Sequence, residues 1–263
     1  MICTTPSASA LAFSSDRYRA TLPQASLEDL SSYFGDFDGS FVLYDSSENR
    51  YLISNEDDAR TRISPNSTYK IYSALMALDA GIITAKDSAM AWNGEACPFD
   101  SWNRDQNLNT AMTNSVNWYF MNLDRQSGLD SIKRELTALS YGNLDFSGGL
   151  SRFWLESSLK ISPLEQVKLL AALSGHTLPY SERDMETVKD ALFLSSDGTS
   201  SLYGKTGTGT VDGKNTNGWF IGFIESENGS CSFAVHINGD DGATGTKAGE
   251  IALRILKEKQ LYG

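Results

Sequence analysis

The chain has 263 residues, 40% of them apolar and 11% aromatic, with a formal net charge of −11. That is enough material for one domain or two intimately packed halves, and the composition is that of a globule rather than a disordered chain. The acidic residues are dispersed and no Lys/Arg-rich patch occurs, which argues against nucleic acid and anionic membrane surfaces as partners.

Residues 1–29 are rich in Ala, Ser and Thr and lack a basic region followed by an apolar stretch. They do not form an intact secretion signal and read as a flexible N-terminal or connecting segment, such as a tether left after removal of a signal or membrane segment. No apolar run approaches the ~18 residues of a membrane span. Cys3, Cys97 and Cys231 show no metal-ligand spacing, and an odd number of cysteines allows at most one disulfide within the chain.

The first ordered element is a hairpin, with Phe41–Tyr44 and Tyr51–Ser54 flanking a polar turn. A helix follows from Ser64, which could cap it, with Pro65 suited to its first position and Gly81 to its end. Ile71, Ala74, Leu75 and Leu78 give that helix an apolar stripe. Residues 84–190 lack convincing strands and contain helical patterns at Asn109–Asn122, Leu129–Leu139 and Pro163–Ser174. Residues 218–226 and 230–237 are β-rich and are separated by a turn at Asn228 and Gly229. Ala248, Ile251, Ala252, Ile255 and Leu256 mark the buried face of a terminal amphipathic helix.

This order predicts an α/β (α+β) fold: a mostly antiparallel sheet built from both ends of the chain and covered by the first and last helices. The globular domain covers 30–263, with the mainly helical insertion at 84–190. A cleft between the parts is the natural ligand site.

Three short segments carry candidate chemistry. In STYK, Ser67 and Lys70 are one helical turn apart and share a face, near a helix start whose free amides favour developing negative charge. A neutral lysine there can take the serine proton, although an isolated SxxK is more often structural. In NTAMTNSVNWYF, Ala111, Met112, Ser115, Tyr119 and Leu123 fall on one predicted helical face. Ser115 on that face must find a buried partner or line a pocket, and Asn117 adds an amide nearby. In YGKTGTG, Lys205 offers a cation, Thr206 and Thr208 offer hydroxyls, and Gly207 lets a ligand approach the backbone. That set suits an anionic, peptide-like ligand. Taken alone, it also reads as a glycine-rich bend before a strand.

Together, in this order and at these wide spacings, the segments resemble the SxxK, SxN or SxV, and KTG motifs of the penicillin-recognising active-serine family. That family comprises penicillin-binding proteins, serine β-lactamases and β-lactam receptor domains. Tyr141-Gly142-Asn143 and Phe153-Trp154-Leu155-Glu156 look like class D β-lactamase elements. The likeness runs from about Gly39 to Leu256. It implies the β-lactamase and transpeptidase-like fold, with Ser67 as nucleophile, Lys70 as general base, and Ser115 as proton relay assisted by Lys205. It also implies that Asn117, Trp154, Thr206, Gly207 and Thr208 line the substrate side. Thr206 and Thr208 would hold the ligand carboxylate, and the backbone amides of Ser67 and Thr208 would form the oxyanion hole. No cofactor or metal is implied beyond N-carboxylation of Lys70 by carbon dioxide in an enzymatic form, with Trp154 packing against or hydrogen-bonding the modified lysine.

Within the family, NSTYKIY, NSVNWYF and LYGKTGTG followed by NGWFIG resemble β-lactam sensor domains more than the STFKIP form of typical class D enzymes. Asn117 stands where class D enzymes carry a valine. The resemblance therefore implies a sensor acylated at Ser67 on the extracellular face of the cytoplasmic membrane, with membrane and metalloprotease portions elsewhere in the same receptor. The alternative is a secreted or lipid-tethered class D β-lactamase hydrolysing the same acyl-serine. A carboxypeptidase or transpeptidase fits the short intermotif distances less well. A non-catalytic structural domain would leave the whole set without a purpose.

Overall fold

The computed structural model describes residues 17–263, and the expectation for residues 1–16 lies outside them. Strands β1 (Ala25–Leu27), β2 (Asp38–Asp45) and β3 (Arg50–Ser54) precede a short helix α1 (Glu56–Arg60). A single turn of 3-10 helix at Asn66–Tyr69 then leads directly into α2 (Lys70–Asp79). Helices α3 (Leu108–Thr113), α4 (Asn117–Ser127), α5 (Leu129–Ala138), α6 (Pro163–Ser174) and α7 (Glu182–Leu192) fill the middle of the chain. Strands β4 (Phe193–Ser196), β5 (Ser200–Val211), β6 (Lys214–Ser226) and β7 (Gly229–Asn238) and helix α8 (Gly245–Glu258) complete it.

The strands form one seven-stranded sheet in the order β1-β3-β2-β7-β6-β5-β4, antiparallel except where β1 joins β3. The two ends of the chain meet where β2 pairs β7, Phe41 opposite Val235. Alternate residues serve opposite faces, and both faces are covered. Phe41, Leu43, Phe220, Phe233, Val235 and Ile237 pack on the α8 side, whereas Val42, Ile221, Phe223 and Ala234 join the larger core on the other. Because α8 turns Ala248, Ile251, Ala252, Ile255 and Leu256 inward, as its pattern predicts, it seals the first face. Each buried Ile or Leu there contributes about 1.5–3 kcal/mol relative to exposure.

The second face departs from expectation. Helix α6, not the first long helix, lies against β2, β6 and β7. Its start is fixed by a reciprocal capping box: Ser162 accepts from the Glu165 amide, Glu165 accepts from the Ser162 amide, and Pro163 occupies the first turn. Helix α2 packs against α4 and α7 and is buried from Lys70 to Leu78. A lysine can sit that deep only with its polar hydrogens satisfied.

Three further details differ from the sequence reading. Ser64 does not cap a helix: its hydroxyl donates to the Trp154 carbonyl and accepts from the Ser157 amide. The single helix expected over 109–122 is broken between α3 and α4, where Ser115 adopts φ 54°. Residues Ala25–Leu27, inside the segment expected to be a flexible connector, instead add an edge strand to the sheet. Among the described residues, 84–190 contains no strand, only single bridges such as Met90 with Gln106. Cys97 and Cys231 are both free thiols.

Candidate active site

Ser67 stands in the 3-10 turn and Lys70 opens α2, so the two side chains share one turn of chain. Lys70 Nζ donates to Ser67 Oγ at 2.9 Å, to the Ser115 carbonyl at 2.6 Å, to Ser115 Oγ at 3.0 Å and to Asn117 Oδ1 at 2.6 Å. Four acceptors therefore converge on one amine. Burial pushes Lys70 well below the usual lysine range, the nearby Lys205 charge pushes the same way, and Asp124 opposes both. Burial and the Lys205 charge thus favour the neutral amine, the form of a lysine able to accept a proton, while the four acceptors around Nζ favour the ammonium.

The break between α3 and α4 explains how Ser115 reaches this amine. Its left-handed backbone turns both carbonyl and hydroxyl toward Lys70, an arrangement that a continuous helix would have denied it. From the opposite wall, Lys205 Nζ donates to Ser115 Oγ at 3.0 Å. Ser115 thus bridges two buried lysines, and burial lowers Lys205 to about 7.

Strand β5 forms the other wall. Strand β4 pairs it only as far as Tyr203, so the edge beyond that point faces the cleft. Thr206, Thr208 and Thr210 alternate into the cleft, which is also lined by Ser67, Ser115 and Asn117. Thr208 Oγ1 accepts from the Gly245 amide at 2.8 Å, tying the strand to the start of α8. Gly207 packs on the Ser67 turn: a Cβ there would lie 3.1 Å from the Pro65 carbonyl oxygen and 3.4 Å from the Ser67 nitrogen.

Behind the site, Trp154 is fully buried, stacked on Tyr69, with its ring centre 5.5 Å from Lys70 Nζ. Its indole N–H donates to Asp124 Oδ2 at 3.0 Å and not toward the lysine. Tyr69 OH at 3.1 Å and Ser73 Oγ at 2.8 Å also donate to Asp124. Sequence reasoning missed this buried carboxylate. The available signal was its four-residue step from Phe120, which puts a charge in an apolar stripe. Asn66 was also overlooked. Its amide donates to Glu156 Oε1 at 2.6 Å and its carbonyl accepts from the Glu156 backbone, strapping the serine turn to the Trp154 segment.

A separate groove beside β1, with Glu28, Asp29, Asp38 and Glu56 in its lining, contains neither lysine nor histidine and cannot reproduce this chemistry. Among the described residues, no group of three or more His, Cys, Asp or Glu side chains could hold a metal ion, and no helix is long and apolar enough to cross a membrane.

Comparison with known proteins agrees with this geometry. The penicillin binding protein transpeptidase domain matches residues 39–257. The methicillin resistance mecR1 protein of Staphylococcus aureus is 44% identical over 94% of this chain, and the regulatory protein BlaR1 of Bacillus licheniformis is 43% identical over 98% of it. This chain spans only 42% and 43% of those two longer proteins. Beta-lactamase OXA-1 of Escherichia coli is 38% identical, with 88% of each chain covered. Among solved structures, the C-terminal domain of the Bacillus licheniformis BlaR penicillin-receptor has a TM-score of 0.88 at 43% identity, covering 91% of this chain and 98% of that one. A class D beta-lactamase from Bacillus subtilis has a TM-score of 0.85 at 38% identity, covering 90% of this chain and 97% of that one. The chain therefore belongs to the penicillin-binding protein transpeptidase family and shares its fold with class D β-lactamases and the BlaR receptor domain.

Proposed function

We propose that this chain is a β-lactam sensor domain, acylated at Ser67 and deacylated slowly, whose modification signals induction of resistance. In the reaction, neutral Lys70 accepts the Ser67 proton as Oγ attacks the β-lactam carbonyl carbon. The amides of Ser67 and Thr208 receive the developing oxyanion, and each such donor is worth about 10²- to 10³-fold in rate. The ring C–N bond then breaks, and Ser115 passes a proton to the departing nitrogen with Lys205 behind it. Thr206 and Thr208 hold the ligand carboxylate beside the Lys205 charge, and Asn117 lines the same cleft. Gly207 packs on the Ser67 turn, and Trp154, fully buried, backs Lys70 rather than lining the substrate side.

The observation that carries the sensor reading is the 2.6 Å hydrogen bond from Lys70 Nζ to Asn117 Oδ1. Releasing the acyl group requires an activated water and hence a second use of a base. In class D enzymes, which this chain resembles, that base is an N-carboxylated lysine. Carboxylation replaces a donor amine with an anion, yet Asn117 Oδ1 and the Ser115 carbonyl present acceptors to Nζ. Their lone pairs favour a nitrogen that keeps its hydrogens and oppose the carbamate anion. Similarity to the BlaR receptor domain supports the same reading. In this reading the full receptor would carry membrane and metalloprotease portions, with this domain on the extracellular face of the cytoplasmic membrane.

A class D β-lactamase is the second reading. The likeness to OXA-1 across most of both chains supports it, as do the Trp154 and Phe120 rings, each centred 5.5 Å from Lys70 Nζ. The shared acylation step is tested by intact and peptide mass spectrometry after exposure to penicillin. One full ligand mass should appear on Ser67 and be absent from Ser67→Ala; labelling elsewhere with Ser67 unmodified would refute the assignment.

A further inference from the structure

Behind the acylation machinery lies a buried carboxylate that the reaction does not touch. Asp124 is fully inaccessible and receives three side-chain hydrogen bonds, from Tyr69, Ser73 and Trp154. Nothing in packing requires a charge there, since Phe120 and Leu123 beside it on α4 are fully buried apolar residues. Three donors are, however, what a buried carboxylate needs to remain ionised.

The location matters because Trp154 neighbours both this carboxylate and Lys70. One side of that residue meets Asp124 through the 3.0 Å indole bond, and Lys70 Nζ lies 5.5 Å from the ring centre. The other indole N–H bordering the lysine is also engaged: Trp102, whose ring centre is 6.0 Å from Nζ, donates to the Asn114 carbonyl at 2.9 Å. Both indole donors beside Lys70 therefore point their hydrogens elsewhere.

We propose that Asp124 is a positioning residue that keeps Lys70 uncarboxylated, by placing a carboxylate behind Trp154 and holding the indole N–H away from the lysine. The inference rests on Lys70 serving as the base of Ser67. The competing reaction is addition of dissolved carbon dioxide: the amine nitrogen forms a bond to carbon, one N–H proton leaves to solvent, and a carbamate anion results. A second anion across one ring from an ionised carboxylate is disfavoured by like-charge repulsion in a poorly screened interior. Burial pushes Asp124 up to about 7 against the pull of its three donors, so it is mainly ionised at pH 8. Asn117 acts on the same amine by direct contact, and Asp124 acts at one remove.

The test is a titration of the ligand-free protein with ¹³C-labelled bicarbonate at pH 8, followed by the carbamate carbon signal in NMR. Asp124→Asn preserves shape and an acceptor for the indole but removes the charge. It should reach half-occupancy at about tenfold lower bicarbonate than the unaltered protein, the size of one unit of like-charge shift. Equal half-occupancy in a variant whose circular dichroism and melting match the parent would overturn the proposal. Should Asp124→Asn fail to fold, Ser73→Ala supplies the comparison. With one donor removed, Asp124 protonates more readily and carbamate formation should move in the same direction, while no movement again contradicts the proposal. Because no β-lactam is present, rapid penicillin turnover would refute the sensor reading and leave this result untouched.

Discussion

Ser115 Oγ lies 3.0 Å from Lys70 Nζ and 3.0 Å from Lys205 Nζ, so one hydroxyl links two buried lysines that arrive from different parts of the fold. Lys70 comes from the start of α2, Lys205 from β5, and Ser115 from the kink between α3 and α4. Two ammonium ions cannot share this space comfortably. Burial and mutual repulsion favour a state in which the pair carries one proton fewer than two free lysines.

The first prediction concerns pH. Acylation should rise with pH as the first proton leaves the pair and Lys70 becomes a base. It should fall again as the second proton leaves and Lys205 loses the charge that holds the ligand. Both folded-state values are lowered, so the ascending limb belongs well below the ordinary lysine value of 10.5, with Lys205 near 7. Labelling rates with a fluorescent penicillin across pH 5–10 would measure the profile. An ascending limb centred at the ordinary lysine value would show that Lys70 is not the base.

Gly207→Ala should slow acylation about tenfold or more with only a small change in melting temperature. The added methyl meets the Pro65 carbonyl and the Ser67 amide at 3.1 Å and 3.4 Å, so the serine turn must shift by a few tenths of an ångström. Misplacement of a nucleophile is costly even when the fold survives it. Acylation at the parental rate would mean that β5 and the serine turn separate freely.

Thr208→Val should weaken acylation and also lower stability by about 1 kcal/mol, because the Gly245 amide at the start of α8 loses its acceptor. Thr208→Ser should restore both. Lys205→Ala should slow acylation more than Thr208→Val, since it removes both charge and the partner of Ser115. Stopped-flow labelling and thermal melts would separate the effects, and unchanged acylation in both Thr208→Val and Lys205→Ala would assign the strand a different role.

The legible parts of this protein were those written in local periodicity and spacing. The β2–β3 hairpin, the inward face of α8 and the span of α6 follow from alternation, helical steps and capping residues. Ser67 and Lys70 could be paired because one helical turn brings them together. Ser115 was identified by its motif, but on a continuous helix. Residues 109–122 have a helical pattern throughout, and the break at Ser115 arises from tertiary bonds to two lysines that no local pattern encodes. The placement of α6 on the sheet was hidden for a related reason, since several helices carry apolar stripes and only the assembled core decides which one meets the strands. Asp124 left only the faint signal of its step from Phe120, because an aspartate in a mixed-polarity helix reads as surface until Tyr69, Ser73 and Trp154 are seen around it.

The central claim is that this domain traps β-lactams rather than turning them over, and acyl-complex lifetime tests it most directly. Pre-steady-state labelling at Ser67, followed by chase with and without added bicarbonate, would give the acylation rate and the release rate in one experiment. Losing general-base assistance in the second step is worth about 10²- to 10⁴-fold, so fast labelling should be followed by release over many minutes. Asn117→Val, which removes the acceptor 2.6 Å from Lys70 Nζ, should shorten that lifetime and make it bicarbonate-dependent. Several turnovers per second by the unaltered protein would contradict the account and make it a class D β-lactamase that tolerates an amide beside its base.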